Sequence, residues 1–287
     1  MTVVTGTETS KRTGHAPETE NDGLVVASDL TVAYNNGDVV AVDKLNLTVP
    51  AGQVIGILGG NGAGKTSTLR TFGGIVPPTS GVLKVGGYSM SSSREVEKAR
   101  RDLGYCPDTG GLIRQATIRE HLGVALTLRH LQNLWPEALD LVEKFGLSHV
   151  IDRETGGFSH GMSRRLSVLL AVLTSKSVLI LDEPFDGVDP MGVNATEDAI
   201  RAAAAAGLAV VVSTHLLSLL VRVSDRICVM DKGHIIADEP AETFTGERGE
   251  KLYEHLLWGG DTEHTDEKTS LRDTEMFDGL WRNRDGR

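Results

Sequence analysis

Apolar residues along this chain follow three patterns, and each predicts a different kind of element. From Leu24 the runs LVVASDLTVAY and VVAVDKLNLTV alternate apolar and polar side chains, with the turn signal NNGD (Asn35 to Asp38) between them. A period of two marks a strand with one buried face, so the pair predicts an antiparallel hairpin or small sheet. At Val54 the alternation gives way to VIGIL, apolar on both faces. SVLILD, ending at Asp182, and LAVVVS, ending at Ser213, are of the same kind. Strands buried on both faces belong to parallel sheets covered by helices. A helical segment follows VIGIL through Arg70. Another is predicted to begin near Asp189 and Pro190, an N-cap and a first-turn proline, and to stop at Gly207. Strands alternating with helices predict a parallel α/β sheet.

The third pattern fills 117–173. TIREHLGVALTLRHL, PEALDLVEKFG and SRRLSVLLAVL carry helical spacing and no convincing strand, which predicts an all-helical insert within the α/β core. After Pro240 comes a short helix, EKLYEHLLW, and then a net-acidic tail from Gly259. The first 22 residues are polar and aperiodic and read as a disordered arm. No internal repeat is visible.

With 287 residues, 40% apolar and 24% charged, the chain has the composition of a globular protein of one large domain or two, not of a fibrous or wholly disordered one. Its net charge of −10 lacks the electrostatic footprint of a nucleic-acid binder, so no nucleic-acid partner is expected. Two cysteines, Cys106 and Cys228, make no disulfide framework and read as buried thiols of a reducing compartment. The N-terminal stretch has no apolar segment of the secretory type. The most apolar internal stretch, LSVLLAVLTSKSVLILDEP, is broken by Lys176 and small polar residues short of the ~18 apolar residues of a spanning helix. The chain is expected to fold in water and to work at a membrane only through a partner.

Gly59 to Thr66 reads GGNGAGKT, which fits G-x-x-x-x-G-K-[ST] between a buried strand and a helix. Glycines there let successive N–H groups face a phosphate, and the helix N-terminus adds partial positive charge. Lys65 reaches toward β- and γ-phosphates, and the Thr66 hydroxyl is a Mg²⁺ ligand in this pattern. Downstream, the apolar run Val178 to Leu181 leads into Asp182 and Glu183. Carboxylates at the end of a buried strand need a partner, and a Mg²⁺–nucleotide supplies one. Asp182 would hold the metal, through water, and Glu183 would orient or deprotonate the attacking water.

From about Leu24 to Glu239 these motifs resemble the ATP-binding cassette (ABC) family, the nucleotide-binding subunits of ABC transporters. GGNGAGKTS resembles its Walker A loop, VLILDEP its Walker B strand, FSHGMSRRL its signature, FDGVDP its D-loop, and VVVSTHLLSLL places His215 at the switch-histidine position. SDRICVMDKGHII is similar to the strand pair that closes the family's domain. The resemblance implies a P-loop (RecA-like) α/β core with an antiparallel β-subdomain and an inserted helical subdomain. The cassette would span 23–240, its helical part about 110–175, with 241–287 a C-terminal helix and acidic tail.

The resemblance also implies ATP and Mg²⁺ as cofactors. Gly59, Gly60, Asn61, Gly62, Ala63, Gly64, Lys65, Thr66 and Ser67 would hold the phosphates, and Tyr34 would stack on adenine. Glu183 and His215 would be catalytic, with Thr66 and Asp182 at the metal. Ser159, Gly161, Met162 and Asp189 would face the nucleotide of a second ABC ATPase subunit, identical or homologous. The other partner would be a membrane-spanning permease, placing the chain on the cytoplasmic face of the cell membrane.

GYxP followed by SxGMxxRL is most similar to ABC-2-type exporter ATPases, for drugs, antibiotics or lipids. An importer ATPase and a soluble non-transport ABC ATPase are the alternatives. Three departures from the family pattern stand out. Asp108 occupies the usual position of the Q-loop glutamine and is carried as a metal contact through water. His160 stands where a glycine is usual and is expected to face outward. Phe185 replaces a small hydroxyl residue. Ser163, Arg164 and Arg165 are read as solvated positions on an exposed helical face.

Overall fold

A computed structural model describes residues 23–109 and 111–258. The N-terminal arm and the tail from Gly259 that the sequence predicts lie outside these residues. Strands β1 (Gly23–Tyr34) and β2 (Val39–Pro50) form the hairpin, joined by a 3-10 turn at Asn35–Gly37. Its alternation is not uniform. Val25 and Ala27 are buried, then Leu30 and Val32, and the odd step between the pairs is absorbed at Asp29, whose φ is +47°. On β2 the same correction falls at Lys44, φ +47°, between Val42 and Leu45. These bulges keep all four apolar pairs on one face, which a straight strand of this sequence would not do.

The chain continues through β3 (Val54–Leu58), α1 (Lys65–Phe72), β4 (Ser80–Val85), β5 (Tyr88–Ser89), α2 (Ser93–Asp102) and β6 (Leu103–Cys106). Then come α3 (Ile118–Arg129), α4 (Trp135–Lys144), α5 (His160–Thr174), β7 (Val178–Asp182), α6 (Pro190–Ala205) and β8 (Ala209–Thr214). The last elements are α7 (Leu217–Val223), β9 (Arg226–Asp231), β10 (His234–Pro240) and α8 (Gly246–Trp258).

Two sheets result. One has four antiparallel strands in the order β2-β1-β4-β5; the other has six in the order β10-β9-β3-β8-β7-β6, parallel except for β10. The large sheet is buried on both faces. On one side Ile55, Ile57, Ile180 and Val211 join the apolar face of the small sheet and Phe72 of α1. On the other, Leu58, Leu179, Leu181 and Val212 pack against helices. Consecutive residues of one strand therefore sit in different cores, which explains the unbroken apolar runs.

The register places the site. Leu58 pairs with Thr214, Ser213 with Asp182, and Cys106 with Leu181. The chain thus leaves β3, β8, β7 and β6 at one common edge. That edge, beyond the carboxyl ends of parallel strands, is where open α/β sheets bind ligands.

Candidate functional site

The segment after β3 wraps into the N-terminus of α1. Gly64 caps that helix at φ +106°, and a Cβ there would lie 2.5 Å from the carbonyl oxygen of Ala41, so conformation and space both demand glycine. The first turn of α1 leaves its N–H groups without intrahelical partners, the usual provision for an anion. Lys65 is buried and folds back over the loop. Its Nζ donates to the Gly59 oxygen at 2.8 Å and the Gly60 oxygen at 3.2 Å, and lies 3.4 Å from Glu183 Oε1.

Asp182, the last residue of β7, is fully buried. Ser213 Oγ donates to its Oδ1 at 2.6 Å, whereas its Oδ2 is buried and makes no hydrogen bond of ordinary length. Burial pushes this carboxyl above the ordinary carboxylate range. The Ser213 and Thr66 hydroxyls pull it down, and the neighbouring carboxylates Asp108 and Glu183 push it up again. A buried carboxylate with the Thr66 hydroxyl beside it is a hard oxygen pair that fits Mg²⁺.

Glu183 follows with φ +48°, rare for a residue with a side chain. Its N–H donates to the Ser213 carbonyl at 3.1 Å and Ser213 Oγ at 3.2 Å, which anchors this backbone to β8. Strained backbone that persists is held by its surroundings and marks a position where side-chain direction matters. Here the carboxylate points between Lys65 and His215: His215 Nδ1 lies 3.2 Å from Oε2.

These groups border a cavity of about 740 Å³. Its wall includes Tyr34, Gly60 through Ser67, Asp108, Glu183 and His215 from the sequence-derived set. Tyr34 OH donates to Ser67 Oγ at 3.2 Å, so the ring stands at the loop's edge. Gly59 and Asp182 are not on the wall. Val39, Val40, Ala41, Asp186 and Lys232 also line it and were missed. Val39 and Val40 are about half exposed beside Tyr34. Two adjacent valines at a strand start, breaking the alternation, were the available signal. Lys232 sits in the β9–β10 turn, which only tertiary pairing brings to the loop, through Gly233 N donating to the Ala63 oxygen.

Ser159, Gly161, Met162 and Asp189 are not on the wall. Ser159 caps α5, its Oγ accepting from Met162 N at 3.2 Å, and is exposed. A Cβ on Gly161 would lie 2.5 Å from the Gly187 oxygen, so this turn packs closely on the loop after β7. His160 faces outward, with Nε2 2.9 Å from Asp186 Oδ2. Asp189 caps α6 by accepting from Gly192 N at 2.9 Å.

The reading of Arg164 and Arg165 as solvated is overturned: both are buried. Most of α5 from residue 164 onward is enclosed, and long basic stems bury readily when their heads find acceptors. Arg165 Nη1 donates to the Phe145 oxygen at 3.0 Å. Arg164 donates to the oxygens of Pro107, Asp182 and Asp108. Asp108 borders the cavity, as a metal contact would, but its Oδ1 lies 3.5 Å from Arg164 Nη2. Phe185 is buried in the helix-side core. Both cysteines are buried; burial pushes Cys106 up to about 12, against the pull of Arg164, and Cys228 rises for the same reason.

Residues 42–186 match the family model described as ABC transporter. The chain is 34% identical over 219 residues to Nod factor export ATP-binding protein I of Rhizobium meliloti, covering 74% of this chain and 64% of that one. It is 34% identical over 244 residues to the daunorubicin/doxorubicin resistance ATP-binding protein DrrA of Streptomyces peucetius, covering 83% of this chain and 71% of that one. Among solved structures, an ATP-binding subunit of an ABC transporter superposes with a TM-score of 0.74 at 26% identity, covering 81% of this chain and 99% of that one.

Proposed function

Because the chain belongs to the ABC transporter family and carries that family's ATPase domain, we propose that it hydrolyses ATP to drive export through a separate membrane-spanning partner. The observation that carries this reading is the convergence of Lys65, Glu183 and His215 beside the phosphate-binding loop, with Asp182 behind them. Residues 59–67 receive the triphosphate. Its oxygens replace the Gly59 and Gly60 carbonyls and Glu183 as partners of Lys65, releasing Glu183 toward the water. Tyr34, with Val39 and Val40, takes the adenine by stacking and apolar contact. Glu183 orients the attacking water or takes its proton, and the His215 imidazole holds that carboxylate in place. Thr66 and Asp182 would hold Mg²⁺, which when bound supplies neutralisation of phosphate charge.

Ser159, Gly161, Met162 and Asp189 serve a second ABC ATPase subunit, identical or homologous. Their position at two helix starts, off their own chain's cavity and with Ser159 and Asp189 exposed, supports that assignment. Export, of a drug-like, antibiotic or lipid substrate, is supported by the names of the two relatives above and by the GYxP and SxGMxxRL patterns. No helix among the described residues is long and apolar enough to cross a membrane. The chain is assigned to the cytoplasmic face of the membrane, held there by the permease.

Lys65→Ala tests the reading. Lys65 is the cation folded over the loop itself, so calorimetry with Mg-ATP should show tight binding lost. Unchanged affinity would refute the phosphate-loop assignment.

A further inference from the structure

Arg164 carries a buried charge for which the hydrolytic chemistry has no direct use. It belongs to α5, yet its guanidinium reaches across to two strand ends. Nη1 donates to the Pro107 oxygen at 2.7 Å and the Asp182 oxygen at 3.2 Å, and Nη2 donates to the Asp108 oxygen. Nε is buried without a hydrogen bond. The side chain is 3% exposed, and Asp108, whose Oδ1 is 3.5 Å from Nη2, is 40% exposed.

Three carbonyls satisfy donors but do not neutralise a charge. A guanidinium held in this position is costly unless a counter-ion accompanies it, and Asp108 is its partner among the described ion pairs. We propose that Arg164 is a positioning residue of the hydrolytic site, clamping the ends of β6 and β7 to α5, and that Asp108 is its counter-ion rather than a metal contact. This rests on the reading of the β7 tip as the site of hydrolysis.

The clamp acts on the backbone that carries the chemistry. The Asp182 carbonyl that Arg164 holds leads directly into Glu183, whose φ of +48° leaves little freedom in where its carboxylate points. A planar fork can meet carbonyls of two strands at once; the point charge of a lysine cannot. Because α5 begins at the Ser159 cap, a shift of that helix is passed to the Asp182–Glu183 peptide through one rigid side chain. The residue at 108 follows from the same electrostatics. A glutamine there would offer a neutral oxygen and leave the buried charge uncompensated, so Asp108→Gln should impair the chain although glutamine is the family's usual residue.

A double-mutant cycle decides the matter, using wild type, R164K, D108N and the double variant. Each is read for turnover, Mg-ATP affinity and the Mg²⁺ concentration of half-maximal turnover. D108N should lower kcat about fivefold, the range of coupled neighbours, with ATP affinity within about twofold and the Mg²⁺ midpoint unmoved. The double variant should be no worse than the poorer single. The same cycle on the unfolding midpoint of the nucleotide-free chain should also be non-additive. Effects on turnover that multiply would show that the two residues do not act together. A shifted Mg²⁺ midpoint in D108N would make Asp108 a metal contact. Should R164K not fold, the kcat-against-affinity split and the Mg²⁺ midpoint of D108N alone still decide, since its partly exposed side chain does not threaten the fold. Glu183→Gln in the same assay separates the two readings. Wild-type hydrolysis by that variant would sink the hydrolytic site itself. An inactive Glu183→Gln with an additive cycle would sink only the clamp.

Discussion

The tip of β7 and the start of α5 both offer groups suited to a phosphate, but they are built in opposite ways. At the β7 tip polar groups are buried and incompletely satisfied: Asp182 Oδ2 makes no hydrogen bond of ordinary length, Glu183 holds an unfavourable φ, and Lys65 is stacked against carbonyls. At the α5 start Ser159 is exposed and satisfied locally, capping its own helix. The first arrangement stores an unmet demand that a nucleotide and its cation can meet within one chain. The second has its capping side chain satisfied inside the chain and leaves the start of a helix open to something arriving from outside. The contrast fits a site of which one half belongs to this chain and the other serves a second subunit.

Asp182→Asn should have the largest effect and split activity from stability. Turnover should fall at least ~10²-fold, since metal-borne charge stabilisation is worth several kcal/mol. The nucleotide-free chain should become more stable at neutral pH by on the order of 1 kcal/mol, because a carboxylate whose charged form is penalised by burial is removed. The sign follows from the raised native pKa. The folded chain binds more protons than the unfolded one between the ordinary carboxylate range and that raised value, so the wild type loses stability as pH climbs through the window. The advantage of the variant should therefore be full above the window and fade as pH drops below it. Denaturant unfolding of both chains at neutral and acidic pH reads this directly. An advantage that grows on acidification would mean that Asp182 is stabilised as a carboxylate.

Ser159→Ala should act on the other side of the comparison, and less. Losing the cap should cost about 1 kcal/mol of stability. Mg-ATP affinity of the isolated chain should stay unchanged, because Ser159 is off the cavity wall. Turnover should drop about tenfold, the worth of one hydrogen bond to a charged group. A weakened affinity in dilute, monomeric protein would erase the distinction between the two regions.

What the sequence disclosed divides along similar lines. The phosphate loop, the Walker-type strand and His215 were legible because a short contiguous run fixes both the element and the chemistry. The hairpin was legible as alternation, although its bulges at Asp29 and Lys44 were not, since a bulge only shows once register is known. The sequence pattern predicts no element in 71–116. In β4 only Leu83 and Val85 are buried, in α2 only Ala99, and β6 is four residues long, so none carries enough period to register. Arg164 and Arg165 are buried against the expectation of solvation because charge alone does not report exposure, and their acceptors come from residues 18 to 57 positions away. Val39, Val40 and Lys232 join the cavity through sheet pairing that no local pattern announces.

The central claim is that Glu183 does the chemistry while the loop after β3 does the binding. Glu183→Gln keeps the shape and the hydrogen bond to His215 but removes the base. Measured side by side, Mg-ATP affinity should stay within about twofold of wild type while turnover falls at least ~10²-fold, the scale of a lost general base. Turnover at the wild-type rate, or affinity and turnover falling together, would contradict it.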